Sequence, residues 1–253
     1  MTDRHVEHHD TGDHDTGDHD HHPDHHHRDL SGGAARAAIF GVSDGLVSNV
    51  ALILGVAGAS PAPGFVRLAG LAGLVAGAVS MAAGEYVSVK AQVELLEREL
   101  ALERIELERR PEVEQRELAS IYVRRGVEPG LANQLAAAMS TDPELALQTH
   151  AREELGVDPD ALGSPVKAAA ASLVSFALGA LIPLVPWFFA TGATAVIASV
   201  TLAAVAAIGV GIALAVFTER PWPRSAGRQL LIAAVAAAVT FGVGRLVGVG
   251  LGP

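Results

Sequence analysis

The distribution of charge constrains this chain more than any other feature. Five runs, Ala34–Ala59, Phe65–Val89, Val166–Ala190, Thr194–Phe217 and roughly Leu230–Leu251, are apolar and rich in Ala and Gly. Each is long enough to cross a bilayer as a helix, which takes about 20 residues. Of the 28 Asp and Glu, nine lie in residues 1–30 and sixteen in residues 91–160, leaving Asp44, Glu85 and Glu219 for everything else. A chain that is half hydrophobic and still 18% charged, with a mean hydropathy of +0.34, is consistent only with segregated charge. Within lipid the backbone must satisfy its own hydrogen bonds, and these runs have helix length. The expected fold is therefore all-α: a polytopic membrane protein with five transmembrane helices and a helical, cytosolic, metal-binding insert between helices 2 and 3.

The polar segments divide the chain into four. Residues 1–30 hold ten of the eleven His, two of them in Thr-Gly-Asp-His-Asp repeats. Such a tail buries too little apolar surface to offset ordering, so disorder is expected. It is either a weak binder of divalent metal or a solvated tail with no role. Residues 31–90 carry the first two spans, residues 91–164 the insert and residues 165–253 the last three spans. In the insert a helical pattern runs from about Ala91 to Arg110, and Pro111 starts a new helix at a tolerated first-turn position. Gly126, Pro129-Gly130 and Asp142-Pro143-Glu144 mark two further helix starts, and Gly163-Ser164-Pro165 leads back to the spans. Pro183 and Pro186 should bend or end the third span. Trp187 and Trp222 stand at span ends, where interfacial aromatics are expected. Arg245 within the last span should snorkel or face protein.

Basic residues orient the spans. Arg4, Arg28 and Arg36 in the N-terminal region, ten Lys and Arg from Lys90 to Lys167, and Arg220, Arg224 and Arg228 fall on one side; the other has only Arg67. The positive-inside rule then puts the N-terminus and insert in the cytosol and the C-terminus outside. The net charge of -10 argues against nucleic acid as a partner. With no Cys there is neither disulfide nor thiolate site.

Asp44 and Glu85 are the only acids within the spans. An ionisable group at membrane depth is costly and usually faces a cavity or a partner. Met81 precedes Glu85 by one turn and shares its helical face. A carboxylate with a thioether suits a borderline divalent transition metal better than Mg²⁺ or Ca²⁺, and the carboxylates can also exchange protons. Alternatively, Glu85 is interfacial and Met81 merely packs. In the insert, Glu103/Glu106 and Glu114/Glu117 are i,i+3 pairs that can each point two carboxylates at one place. The competing reading is a solvated helix face, with Glu94/Arg98, Glu106/Arg110 and Glu112/Arg116 as ordinary i,i+4 pairs. His150 and Glu154 form a further i,i+4 candidate pair, set against a lone exposed His, and Glu153 adjoins them.

On these residues the chain resembles the vacuolar iron transporter (VIT) family. The resemblance covers about residues 30–250. It rests on Gly41-Val42-Ser43-Asp44-Gly45-Leu46 and Ser80-Met81-Ala82-Ala83-Gly84-Glu85-Tyr86 in the spans. In the insert it rests on Glu103, Glu106, Glu114 and Glu117 around Pro111, on Asp142-Pro143-Glu144, and on Glu153-Glu154-Leu155-Gly156. The resemblance implies a homodimer in a lipid bilayer, with an ion path lined by the first two spans near the dimer interface. It implies proton-coupled export of Fe²⁺, and also Mn²⁺ or other divalent ions, from the cytosol. The metal is then a transported ion, with no cofactor permanently bound. By the resemblance Asp44, Met81 and Glu85 are translocation residues. Glu103, Glu106, Glu114, Glu117 and Glu154 are insert ligands, with Glu153 and His150 beside them. Some relatives have Met just before the Glu-Glu-Leu-Gly segment; here the residues are Thr149 and His150, so a His ligand could replace the thioether or that ligand is absent. The Ala/Gly-rich composition suggests a bacterial chain and hence the plasma membrane. The alternative to transport is a membrane-anchored metal sensor or buffer. An enzyme is not expected: a ferroxidase needs Glu-x-x-His, and Leu147 stands three residues before His150.

Overall fold

The computed structural model describes residues 33–59, 62–159 and 162–250, with side chains between 37 and 248. The His-rich tail expected over residues 1–30 lies outside the described residues. The described chain is helical: α1 (Gly33–Ala59), α2 (Pro63–Arg109), α3 (Pro111–Arg124), α4 (Pro129–Met139), α5 (Pro143–Glu153), α6 (Pro165–Leu184), α7 (Pro186–Phe189), α8 (Gly192–Thr218) and α9 (Trp222–Gly250). Five of these, α1, α2, α6, α8 and α9, are long and apolar enough to cross a membrane. This is a multi-pass membrane protein with five apolar helices.

Helix α1 is the hub, packed most heavily on α6, then on α9 and α2. Its glycines set those approaches. A Cβ on Gly45 would collide with the Phe176 carbonyl of α6, and one on Gly179 of α6 would collide with the Val42 carbonyl of α1. Small residues thus let two backbones touch where lipid supplies no hydrophobic drive between helices. Leu46, Val50 and Leu54 of α1 meet Ala203 and Ala207 of α8 and Ala233 of α9 in the main core. The large apolar side chains of α2, α8 and α9 point outward instead, among them Leu68, Val75, Val205 and Leu246.

Several boundaries differ from the sequence reading. The second span and the charged helical pattern after it form one helix: α2 runs for 47 residues, about 70 Å at 1.5 Å per residue. That is over twice the hydrocarbon thickness of a bilayer. No Gly or Pro falls between Tyr86 and Arg109, so nothing in that stretch stops the helix. The last span begins at Trp222 rather than near Leu230, because Pro223 falls in a first turn, where proline needs no hydrogen-bond partner. Pro183 is accommodated inside α6, and Pro186 opens the one-turn α7. That turn folds Trp187 back into the bundle against Ile53, Val66, Leu184 and Ala195. Trp187 is therefore a buried core residue, 2% exposed, and not an interfacial anchor. Arg245 is exposed on α9.

Between α2 and α6, Pro111, Pro129 and Pro143 each sit in a helix's first turn. Asp142 caps α5, accepting from the Glu144 and Leu145 amides at 2.9 Å each. Its removal typically costs about 1 kcal/mol. The cap and the α3–α4 packing of Leu118, Ala119 and Ala136 fix how α5 approaches α2.

Candidate metal centre and membrane cavity

Two sites emerge, both built on α2. The first lies where the far end of α2 meets α3 and α5. Pro111 lets the chain reverse after Arg110, which brings Glu114 of α3 back against Glu103 of α2. Helix α5 presents Ala146, Leu147, His150 and Ala151 as its buried face. Ligand atoms of Glu103, Glu114 and His150 all lie within 4.8 Å of one another. His150 is fully buried, and Glu103 and Glu114 are each 6% exposed. Nδ1 of His150 is 2.9 Å from Oε1 of Glu103 and 3.7 Å from Oε2 of Glu154. The lone-exposed-His alternative is thus replaced by a buried imidazole between carboxylates.

Burying like charges together has a measurable signature. Glu114 is pushed above the ordinary carboxylate range, first by burial, then by Glu103, Glu117 and Glu106, with His150 pulling back. Glu154 is also raised by burial, then by Glu103 and Glu117. For His150 burial acts most strongly and pulls its pKa down. The hydrogen bond to Glu103 and the charges of Glu103, Glu154 and Glu114 together outweigh burial, and the net shift is upward. When protonated, the imidazole is the counter-charge to this carboxylate group. Carboxylates that converge like this hold protons, or hold a cation that replaces them.

The remaining insert candidates divide. Glu106 and Glu117 are exposed but near enough to raise Glu114. Glu153 turns the other way, and both its side chain and its carbonyl bind Arg125. Of the surface pairs expected on a solvated face, Glu94 pairs with Lys90 at 3.3 Å. Arg116 donates to the Glu112 backbone carbonyl at 3.0 Å.

The second site is a cavity of about 370 Å³ among α1, α2 and α6, lined by Phe40, Asp44, Ser48, Asn49, Leu52, Gly73, Gly77, Ser80, Met81 and Phe176. Asp44 and Met81 therefore face one space, and Glu85 lies one turn farther along α2, half-buried. The glycines keep the space open: a Cβ on Gly77 would collide with the Phe176 ring. Met81 and Glu103 are 22 residues apart on one helix, about 33 Å along its axis. Sequence reasoning gave no role to Asn49, although an amide inside an apolar run was the available signal. It also missed the Gln229–Ser43 hydrogen bond, which ties α9 to the residue beside Asp44.

Comparison with known proteins now bears on both sites. The VIT family profile matches residues 35–245. The chain belongs to the VIT family. Vacuolar iron transporter 1 of Eucalyptus grandis is 35% identical over 218 residues, 86% of this chain and 88% of that protein. Vacuolar iron transporter 1 of Arabidopsis thaliana is 34% identical over 218 residues, 86% and 87% of the two chains. The vacuolar iron transporter of Acanthamoeba castellanii is 37% identical over 220 residues, 85% of this chain and 78% of its own. As a VIT family member the protein is similar over most of its length to vacuolar iron transporters, and both sites fall within the matched residues 35–245.

Proposed function

We propose that this VIT family protein exports a divalent transition metal, Fe²⁺ and also Mn²⁺, from the cytosol in exchange for protons, working as a homodimer. One observation carries the reading. The buried Glu103–Glu114–His150 group and the cavity holding Asp44 and Met81 are built on the same uninterrupted helix. Two carboxylates with an imidazole make a mixed oxygen and nitrogen donor set, which fits first-row divalent ions better than Mg²⁺ or Ca²⁺. Glu106, Glu117 and Glu154 concentrate cations around that group, and Asp44, Met81 and Glu85 pass the ion across. Iron as cargo is supported by the relatives' names. Export is supported by the distribution of Lys and Arg, which by the positive-inside rule favours an insert on the cytosolic side. Proton exchange is supported by carboxylates that must lose protons to take metal. The alanine- and glycine-rich composition supports a plasma-membrane setting, whereas the named relatives are vacuolar.

The test is Fe²⁺ and Mn²⁺ flux into sealed proteoliposomes under an imposed pH gradient. Wild type should carry both ions, and Asp44→Ala should abolish transport. Undiminished flux in Asp44→Ala removes that residue from the mechanism. Metal binding by the full-length protein without any flux makes it a sensor or buffer instead.

A further inference from the structure

Asn49 is 2% exposed, inside an apolar helix. Its Nδ2 donates to the Ala180 carbonyl of α6 at 2.6 Å. A carbonyl oxygen can only accept, so this bond settles which end of the amide is which. Oδ1 must point the other way, and there it is buried with no hydrogen-bond partner. Buried amide oxygens are nearly always paired. This one belongs to a residue lining the cavity that also holds Asp44 and Met81. Gly73 packs beside it, and a Cβ at that position would stand 3.0 Å from Oδ1.

We propose that Asn49 is a further oxygen donor to the transported cation, beside Asp44 in the cavity and five residues, about 7.5 Å, along α1 from it. The inference rests on the transport reading above and adds a ligand to it. A neutral oxygen suits this place. Another carboxylate beside Asp44 in the cavity would be costly, and it would hold the ion too firmly to let it leave. Asp44 supplies charge at one level of the cavity, and Asn49 replaces a water of hydration at the next. The Ala180 bond holds the amide so that the oxygen need not reorient as the ion arrives.

The experiment uses the full-length protein in proteoliposomes and measures initial Fe²⁺ flux against Fe²⁺ concentration, with Asp44→Ala alongside. Asn49→Ala should raise KM about tenfold, the scale of one lost hydrogen bond to a charge. Asn49→Asp should lower KM and lower the maximal rate together, because a charged donor binds more tightly and releases more slowly. A residue that only packs gives no such inverse change. Gly73→Ala should also raise KM, because its Cβ would stand 3.0 Å from Oδ1, crowding an ion off that oxygen and shifting the amide by a few tenths of an ångström, while the exposed Leu52 tip it would touch can swing aside. If the Asn49 variants fail to yield a monodisperse protein in detergent, Gly73→Ala decides the matter alone. A wild type without flux refutes the transport reading itself. A wild type that transports, an inactive Asp44→Ala and an unchanged KM in every Asn49 and Gly73 variant that folds overturn only the role of Asn49.

Discussion

Replacing Glu114 by Gln should stabilise the metal-free protein and weaken its response to metal, and the first effect should depend on pH. Glu103, Glu114 and His150 offer atoms within 4.8 Å of one another. At an effective dielectric of about 20, two unit charges at that separation interact by about 3.5 kcal/mol. With His150 neutral, Glu103 and Glu114 repel by that amount and nothing within the trio offsets it. With His150 protonated, its attraction for Glu114 cancels the repulsion from Glu103. Glu114→Gln should therefore gain up to about 3.5 kcal/mol where His150 is neutral, tested at about pH 9, and close to nothing where it is protonated, tested at about pH 6. The upper figure is a ceiling, because Glu114 relieves part of the repulsion by taking a proton, as its raised pKa records. For a chain of this size 1 kcal/mol moves Tm by about 2–4 °C, so a shift of several degrees is measurable. The assay is thermal unfolding of the full-length protein in detergent at both pH values, with and without Co²⁺ as an air-stable probe. Metal should raise Tm less in the variant than in wild type, because one carboxylate ligand is gone. A variant that melts below wild type at about pH 9 and keeps the full response to Co²⁺ would refute the electrostatic argument.

Metal binding measured by titration calorimetry should weaken as pH falls, and it should release protons. The signs agree for all three shifted groups. His150 is raised, so its stabilising protonation is complete below the ordinary value of 6.5 and is lost as pH rises through the raised one. Glu114 and Glu154 are raised, so their ionisation costs stability above the raised values, and that cost is gone only below 4.5. Acid therefore favours the metal-free fold, and alkali favours the metal-bound one. In flux assays Glu114→Gln should raise KM and leave the maximal rate near wild type. The cluster and the cavity are about 33 Å apart along α2, roughly four screening lengths at physiological salt, so loss of the cluster charge reaches Asp44 only through local ion concentration. Gly45→Ala should cost about 1–3 kcal/mol by forcing α1 away from the Phe176 carbonyl, seen as a lower Tm in detergent.

The five spans were legible because lipid leaves a signal that needs no tertiary information: long runs without charge, joined by segments that hold nearly all of it. Their ends were less legible. Charge marks the passage of α2 out of the apolar layer near Lys90, but no Pro or Gly between Tyr86 and Arg109 marks an end to the helix. A change of solvent from lipid to water does not break a helix whose polar half is still a good helix former. The glutamate pairs were visible as pairs, and their meeting was not. That meeting depends on the reversal at Pro111 and on the angle at which α5 crosses α2, both set by packing among α3, α4 and α5.

His150 and Asn49 show the same gap from two directions. His150 was weighed against the reading of a lone, exposed His on a surface helix. Yet Ala146, Leu147 and Ala151 stand three and four residues before it and one after, so it shares their helical face. A titratable ring on an otherwise apolar face must either find carboxylates or lose its charge, and Glu103 and Glu114 are those carboxylates. Asn49 was passed over because an amide carries no charge and so does not interrupt an apolar run. Its Nδ2 is spent on the Ala180 carbonyl, which leaves an oriented oxygen at the wall of a cavity that also contains a carboxylate. In both residues one polar atom is tied to a neighbouring helix, and that tie fixes how the rest of the side chain can meet an ion. Sequence gives the residue type, but only packing decides which atom remains available.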